Sequence, residues 1–201
     1  MKLDQVFKVL EQEIELVGDS YNDKIHLVTA DEINVELVGF LRDKYKINGA
    51  SHSDLLKYRN KNIMKKALVE SNIRVPLFLN FDYHKYKIQK EAYFNELISY
   101  CGLPFIIKPA LGSASFDTYK IDSLESFKNI SLADIFDIES YEYLVEEYID
   151  GTIFCCDTIS MNNKMIDAFV SEYSCPPLDI ARKRSVGCAI PLDKQSKKSK
   201  K

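Results

Sequence analysis

A lysine at the end of a short apolar segment is the first feature that suggests chemistry. Residues 105–109 (FIIKP) have the pattern of a buried strand, and Pro109 stops its hydrogen-bonding ladder, so Lys108 lies at the mouth of that strand. The following loop, residues 110–115 (ALGSAS), consists mainly of small residues and hydroxyls, which let a backbone approach an anion and donate hydrogen bonds to it. Lys108 would supply the compensating positive charge. The alternative is a lysine that extends its ammonium group into solvent before a surface hairpin.

Two adjacent glutamates in residues 143–151 (YLVEEYIDG) are the next candidates. Strand alternation puts Glu146 on one face with Leu144 and Tyr148, and Glu147 on the opposite face. A carboxylate among apolar neighbours needs a polar partner, and an adenine amino group is one donor that could serve. The alternative is an edge strand on which both acids face water.

A third segment lies upstream, in residues 58–68 (YRNKNIMKKAL), and ends in residues 73–76 (IRVP). By itself it is an amphipathic basic helix with a solvated charged face. Its interest lies in its position relative to the other two segments. The motifs that the three segments contribute, in chain order, are Asn60-Lys61, Met64-Lys65, Val75-Pro76, Ile107-Lys108-Pro109, Gly112-Ser113-Ala114-Ser115 and Glu146-Glu147-Tyr148-Ile149 followed by Gly151.

This ordered set resembles the ATP-grasp superfamily, especially the carboxylate–amine ligases related to biotin carboxylase and to the large chain of carbamoyl-phosphate synthetase. The resemblance covers roughly residues 30–190. It implies that Lys61 and Lys108 meet the nucleotide phosphates, with Lys108 also near the adenine. It further implies that Ser113 and Ser115 belong to a flexible loop that folds over those phosphates.

The same resemblance implies how the base would be held. Glu146, Tyr148 and Ile149 would flank the adenine, and backbone groups of Glu147 and Ile149 would read its edge. The chemistry of the family joins ATP to a carboxylate as an acyl-phosphate, which an amine or another nucleophile then attacks. Magnesium bridges the phosphates in that chemistry and offsets their charge. The implied partners are therefore ATP, Mg²⁺, a small carboxylate and an amine.

Three departures from the family pattern bear on this interpretation. Many relatives carry an acid two residues after the turn glycine for the ribose hydroxyls, and this chain has Ile153 there. The small-residue loop has Ala114 and Asp117 where glycines are frequent, which predicts a stiffer loop. The late Glu-x-Asn strand that holds magnesium is not found, so no metal ligand and no catalytic residue are assigned. The pattern indicates a shortened member that self-associates or needs a completing partner.

The predicted fold class is α/β (α+β) and ATP-grasp-like, with a mixed N-terminal lobe followed by a sheet-rich ATP-binding lobe. The predicted divisions are residues 1–60 for a partial N-terminal α/β lobe, 61–192 for an incomplete ATP-grasp domain and 193–201 for a disordered Lys-rich tail. Residues 3–17 and 33–45 have helical spacing, as does a helix capped by Ser53 or Asp54 and running to about residue 71. Residues 25–29 (IHLVT) indicate a strand.

Composition excludes several other classes. The net charge is −3, with +4 on residues 193–201 and −7 on the rest, and an acidic body argues against a nucleic-acid-binding face. No apolar run is long enough to span a bilayer, and the start lacks a secretory signal, which predicts a cytoplasmic protein. The five cysteines are an odd number, which argues against a disulfide framework.

Three functions are compatible with these residues. The first is an ATP-dependent carboxylate–amine ligase or its nucleotide-binding portion. The second is a non-catalytic nucleotide-binding module, and the third is a degenerate remnant without activity.

Overall fold

The computed structural model describes residues 3–131, 142–162, 164–183 and 186–193. These form two compact units, Met1–Val75 and Pro76–Lys201. The boundary predicted between residues 60 and 61 falls within the first of these units, and the three domain divisions remain predictions. All but the first residue of the predicted Lys-rich tail lies outside the described residues. In the described part of the chain, no helix is both long enough and apolar enough to cross a membrane.

The described residues of the first unit form helices. In chain order these are α1 (Leu3–Val17), α2 (Tyr21–Lys24), a 3-10 helix (Glu32–Asn34), α3 (Val35–Tyr45), α4 (His52–Arg59) and α5 (Lys61–Glu70). The apolar faces of α1 and α3 meet around three buried residues: Leu10, Leu41 and Ile47. The predicted helices at residues 3–17 and 33–45 are confirmed.

Two predictions for this unit are wrong. The helix expected up to residue 71 begins at His52 and is interrupted at Asn60, and its N-cap is Ser51, which forms a capping box with Asp54, rather than Ser53 or Asp54. Asn60 has an extended backbone, and its side chain accepts hydrogen bonds from the N–H groups of Asn62 and Ile63, so it ends α4 and caps α5. Residues 25–29 belong to no sheet, because the described residues of this unit offer no second strand with which they could pair.

The second unit contains two antiparallel sheets. The first has the order β1-β4-β2-β3, formed by β1 (Phe78–Asn80), β2 (Phe105–Pro109), β3 (Tyr119–Ile121) and β4 (Tyr143–Glu147). The helices α6 (Tyr83–Ile88), α7 (Lys90–Cys101) and α8 (Leu124–Lys128) lie between these strands in sequence. The mixed helix and sheet fold, with a buried strand at residues 105–109, is confirmed.

The second sheet is formed by β5 (Phe154–Met161), β6 (Lys164–Tyr173) and β7 (Ala189–Pro191), and α9 (Pro177–Lys183) connects β6 to β7. β5 and β6 pair as the predicted antiparallel hairpin, with a register shift between Ile159 and Ser160. This hairpin follows β4 directly in the chain, so it begins where the Glu146-Glu147 segment ends.

One face of the first sheet is buried by an aromatic core centred on Phe127 of α8. Phe127 is fully buried, and its ring contacts five other aromatic rings: Phe81, Tyr86, Tyr93, Phe94 and Phe105. Ile107 of β2 and Val145 of β4 belong to the same cluster. Because side chains alternate along a strand, the residues between them point to the opposite face.

Replacing Phe127 by alanine should lower the free energy of unfolding of the second unit by about 3–5 kcal/mol, because it opens a cavity among five rings. Urea denaturation followed by near-ultraviolet circular dichroism measures this change. Phe116→Ala is the matched control, since Phe116 is 59% exposed, and it should change stability by less than about 0.5 kcal/mol. Equal effects of the two substitutions would contradict this description of the core.

Candidate functional site

An ion pair joins two neighbouring strands on the face of the first sheet opposite the aromatic core. Lys108 of β2 lies opposite Leu144, and Glu146 of β4 lies opposite Ile106, so Lys108 and Glu146 are diagonal neighbours. The Lys108 ammonium group donates a hydrogen bond to Oε1 of Glu146. The two side chains are only 22% and 9% exposed. A carboxylate this deeply buried needs a cation beside it, because an unpaired buried charge is strongly destabilising.

The strand register confirms the predicted facing of the two glutamates. Glu146 lies opposite Ile106, on the side away from the core, whereas Glu147 lies opposite Phe105, which is a core residue. Glu146 is buried, so the alternative of two acids on a water-facing edge strand is wrong for this residue. Cys101, at the end of α7, lies in the core cluster on the other side of the sheet. Its burial, together with the charges of Glu147 and Glu146, raises the pKa of its thiol to about 11.

A cavity of about 660 Å³ opens beside the ion pair. Its walls come from the ion-paired face of the first sheet, the segment after β4, the loop before β3 and the start of α9. Six residues singled out from the sequence line this cavity: Lys108, Ser115, Glu146, Glu147, Tyr148 and Ile149. Ser113 is exposed and does not line it. Lys61 is the first residue of α5 in the first unit, and its contact with phosphate remains a prediction.

The segment that leaves β4 presents a backbone acceptor and a backbone donor. The Glu147 N–H donates to the Leu77 carbonyl at 2.9 Å, which continues the ladder with β1 by one bond. The Leu77 N–H donates instead to the Glu147 carboxylate at 3.2 Å, so the Glu147 carbonyl is left out of the ladder. The Ile149 N–H makes no hydrogen bond within the described part of the chain. This carbonyl and this N–H are two residues apart and belong to residues that line the cavity.

The loop between β2 and β3 is held to the sheet by the carboxylate of Asp117. Tyr143 of β4 and Tyr119 of β3 both donate their hydroxyls to this carboxylate. Asp117 has a φ of +48°, and Ala114 and Ser115 have φ of +52° and +57°, which is strained backbone for residues other than glycine. Burial, and secondly the bond to Asp117, raises the pKa of Tyr119, so its hydroxyl stays protonated and able to donate.

A further contact to this loop comes from α9, the helix between β6 and β7. Arg182 of α9 donates to the Thr118 carbonyl, and its guanidinium lies 5.6 Å from the centre of the Tyr119 ring. The stiff loop that the sequence predicted from Ala114 and Asp117 remains a prediction, and the contacts of Asp117 and Thr118 give it a physical basis. Asp117 was seen only as a missing glycine, since the tyrosines that bind its carboxylate cannot be found from the loop sequence alone.

Sequence reasoning also missed Lys120 of β3, which lines the same cavity. Its ammonium group lies 3.7 Å from the centre of the Tyr148 ring. The only sequence signal is its place in a short alternating strand, between Tyr119 and Ile121. That signal has no meaning until β3 is known to pair with β2.

The described residues show no cluster of magnesium ligands. Within the described ranges, no group of three or more His, Cys, Asp and Glu side chains is placed to hold a metal ion. Magnesium ligands are therefore left unassigned in this chain.

No family model matches the chain. The L-arginine-specific L-amino acid ligase of Bacillus subtilis is 28% identical to it over 157 residues, which are 76% of this chain and 36% of that protein. The crystal structure of an L-amino acid ligase from Bacillus licheniformis aligns with a TM-score of 0.60 at 16% identity, over 86% of this chain and 38% of its own. The carboxyaminoimidazole ribonucleotide synthase of Aspergillus clavatus, complexed with ATP, aligns with a TM-score of 0.54 at 9% identity, over 71% and 36%.

This chain has the ATP-grasp fold. The resemblance stated from the sequence motifs is confirmed at the level of the fold. The chain spans little more than a third of the length of these proteins, 36–38%.

In this ATP-grasp chain, Asp117→Ala and Tyr143→Phe should each release the loop. A hydrogen bond to a charged group contributes about 1.5–3 kcal/mol, so its loss should raise the population of the open loop about tenfold or more. Chymotrypsin cleavage after the exposed Phe116 measures this population, because cleavage samples the opened state. Asp19→Ala, at an exposed position in the first unit, is the control and should leave cleavage unchanged. Parent-like cleavage of both loop variants would show that Asp117 does not restrain the loop.

Proposed function

We propose that this chain binds adenine nucleotide in the cavity beside Lys108 and Glu146, as the nucleotide-binding part of an ATP-dependent carboxylate–amine ligase. One observation supports this most strongly. The ion-paired Lys108 and Glu146 line the same cavity of about 660 Å³ as Glu147 and Ile149, the residues that carry the backbone carbonyl and N–H. That volume falls within the range of small-molecule sites, about 300–1,000 Å³.

The backbone pair favours adenine over guanine. Adenine presents an exocyclic amino donor next to a ring-nitrogen acceptor, which the Glu147 carbonyl and the Ile149 N–H would satisfy together. Guanine presents the reverse order, an oxygen acceptor next to a ring N–H donor. A guanine in the same orientation would therefore leave buried polar groups unpaired, which costs free energy. Glu146 adds a carboxylate on the same wall, and this acceptor also suits an amino group.

The ligase part of the proposal rests on the similarity to amino acid ligases. In such a reaction a carboxylate oxygen attacks the γ-phosphorus of ATP and ADP leaves. The amine nitrogen then attacks the acyl carbon, and inorganic phosphate leaves as the amide forms. An amino acid is the carboxylate that the name of the Bacillus subtilis relative suggests. ADP release that depends on added amino acids tests this part separately from nucleotide binding.

Lys108→Ala should weaken ATP binding about 10- to 100-fold, because it removes a charge-assisted contact of about 1.5–3 kcal/mol at the cavity wall. Isothermal titration of the purified chain with ATP measures the affinity. The substitution alone leaves Glu146 without its cation, so the double variant Lys108→Met with Glu146→Gln is the matched control for burial of an unpaired charge. Both variants should bind ATP more weakly than the parent. ATP affinity equal to the parent in both would remove Lys108 from the site.

Glu146→Gln should reduce the preference for ATP over GTP more than Glu147→Gln does. Glu146 faces the cavity beside Ile106, whereas the Glu147 carboxylate accepts the Leu77 N–H and only the Glu147 backbone reaches the base. Competition between ATP and GTP against a fluorescent adenine nucleotide gives the preference for each variant. A larger loss of preference in Glu147→Gln would reverse the proposed facing.

A further inference from the structure

Lys120 occupies a place on the cavity wall that none of the family motifs covers. It lies opposite Ile106 on one side, and Glu146 lies opposite Ile106 on the other, so all three share one face of the sheet. Lys108 is two residues further along β2 on the same face. The cavity therefore has an ammonium group on each of two adjacent strands.

The two lysines differ in what balances their charge. The Lys108 ammonium group is ion-paired with Glu146, which is buried. The Lys120 ammonium group lies over the Tyr148 ring at 3.7 Å, and no carboxylate in the described ranges lies within ion-pair distance of it. Lys120 is also exposed, so its cation–π contact is of the weak, solvated kind.

This difference determines how freely each lysine can move toward an anionic ligand. The Lys108 ammonium group has three donors and can contact a ligand only while it keeps its bond to the buried Glu146 carboxylate, because breaking such a pair is strongly unfavourable. Lys120 gives up only a weak contact with a ring and gains a charge-assisted hydrogen bond. Four carboxylates line the same cavity, Glu146, Glu147, Asp150 and Asp179, so a polyphosphate there depends on any cation that is not already paired.

We infer that Lys120 is a phosphate-binding lysine of this cavity in addition to Lys108, which keeps its bond to Glu146. On binding, the Lys120 ammonium group moves from the Tyr148 ring to the polyphosphate. The inference rests on the proposed nucleotide function and refines it, because it assigns part of the phosphate-specific affinity to a residue outside the family motifs.

The test compares ligands that differ only in phosphate content. The parent, Lys120→Met and Lys120→Arg are titrated with ATP and with adenosine, and circular dichroism confirms that each variant is folded. Met keeps the apolar stem over Tyr148 and removes the charge, whereas Arg keeps the charge. Lys87→Met is the matched control, because the Lys87 ammonium group lies 4.5 Å from the centre of the Tyr83 ring, and neither residue lines the cavity.

Lys120→Met should lose ATP affinity by about 10- to 100-fold, as expected for a lost charge-assisted hydrogen bond, and should bind adenosine like the parent. Lys120→Arg and Lys87→Met should bind ATP like the parent, within about threefold. Parent-like ATP affinity in Lys120→Met would overturn the inference and leave the nucleotide function standing. An equal loss for ATP and adenosine would overturn it too, since Lys120 would then serve only to position Tyr148. A parent that binds neither ligand would reject the nucleotide function itself.

Discussion

A carboxylate on the face of a nearly buried sheet is tolerated only where a cation can reach it. Glu146 meets this condition through Lys108, which is 38 residues earlier in the chain and on the adjacent antiparallel strand. The pair depends on the register of β2 against β4. A slip of one residue would move Glu146 to the core side of the sheet, among aromatic rings. The need to pair this charge therefore helps to fix the register, and the register places the remaining groups of the cavity.

One face of the first sheet packs in the aromatic core, and the opposite face lines the cavity. Phe105, Ile107 and Val145 pack under the helices around Phe127, while Ile106 and Lys108 face the cavity. The aromatic face anchors the sheet to the helices through apolar packing. This leaves the opposite face free to hold charged residues at fixed spacing, which a flexible loop could not do.

Local sequence patterns predicted the elements that carry the site but not the contacts that complete it. The strand at residues 105–109, the alternation around Glu146 and the β5–β6 hairpin are each encoded within a few neighbouring residues. The bond between Asp117 and Tyr143 and the packing of Lys120 on Tyr148 join residues 26 and 28 positions apart. Such contacts depend on strand pairing, which periodicity does not reveal. The interruption of the predicted helix at Asn60 was missed for a different reason, because an asparagine within a helical pattern can either continue the helix or cap the next one.

Hydrogen–deuterium exchange of the chain with and without ADP tests most directly whether the ion-paired face of the sheet is a nucleotide site. At saturating ADP, the account predicts slower exchange in peptides that cover residues 143–153, because the Ile149 N–H gains an acceptor. It also predicts slower exchange over residues 110–120, which contribute Ser115 and Lys120 to the cavity wall. Unchanged exchange in residues 143–153 at saturating ADP would contradict the account, whatever other segments became protected.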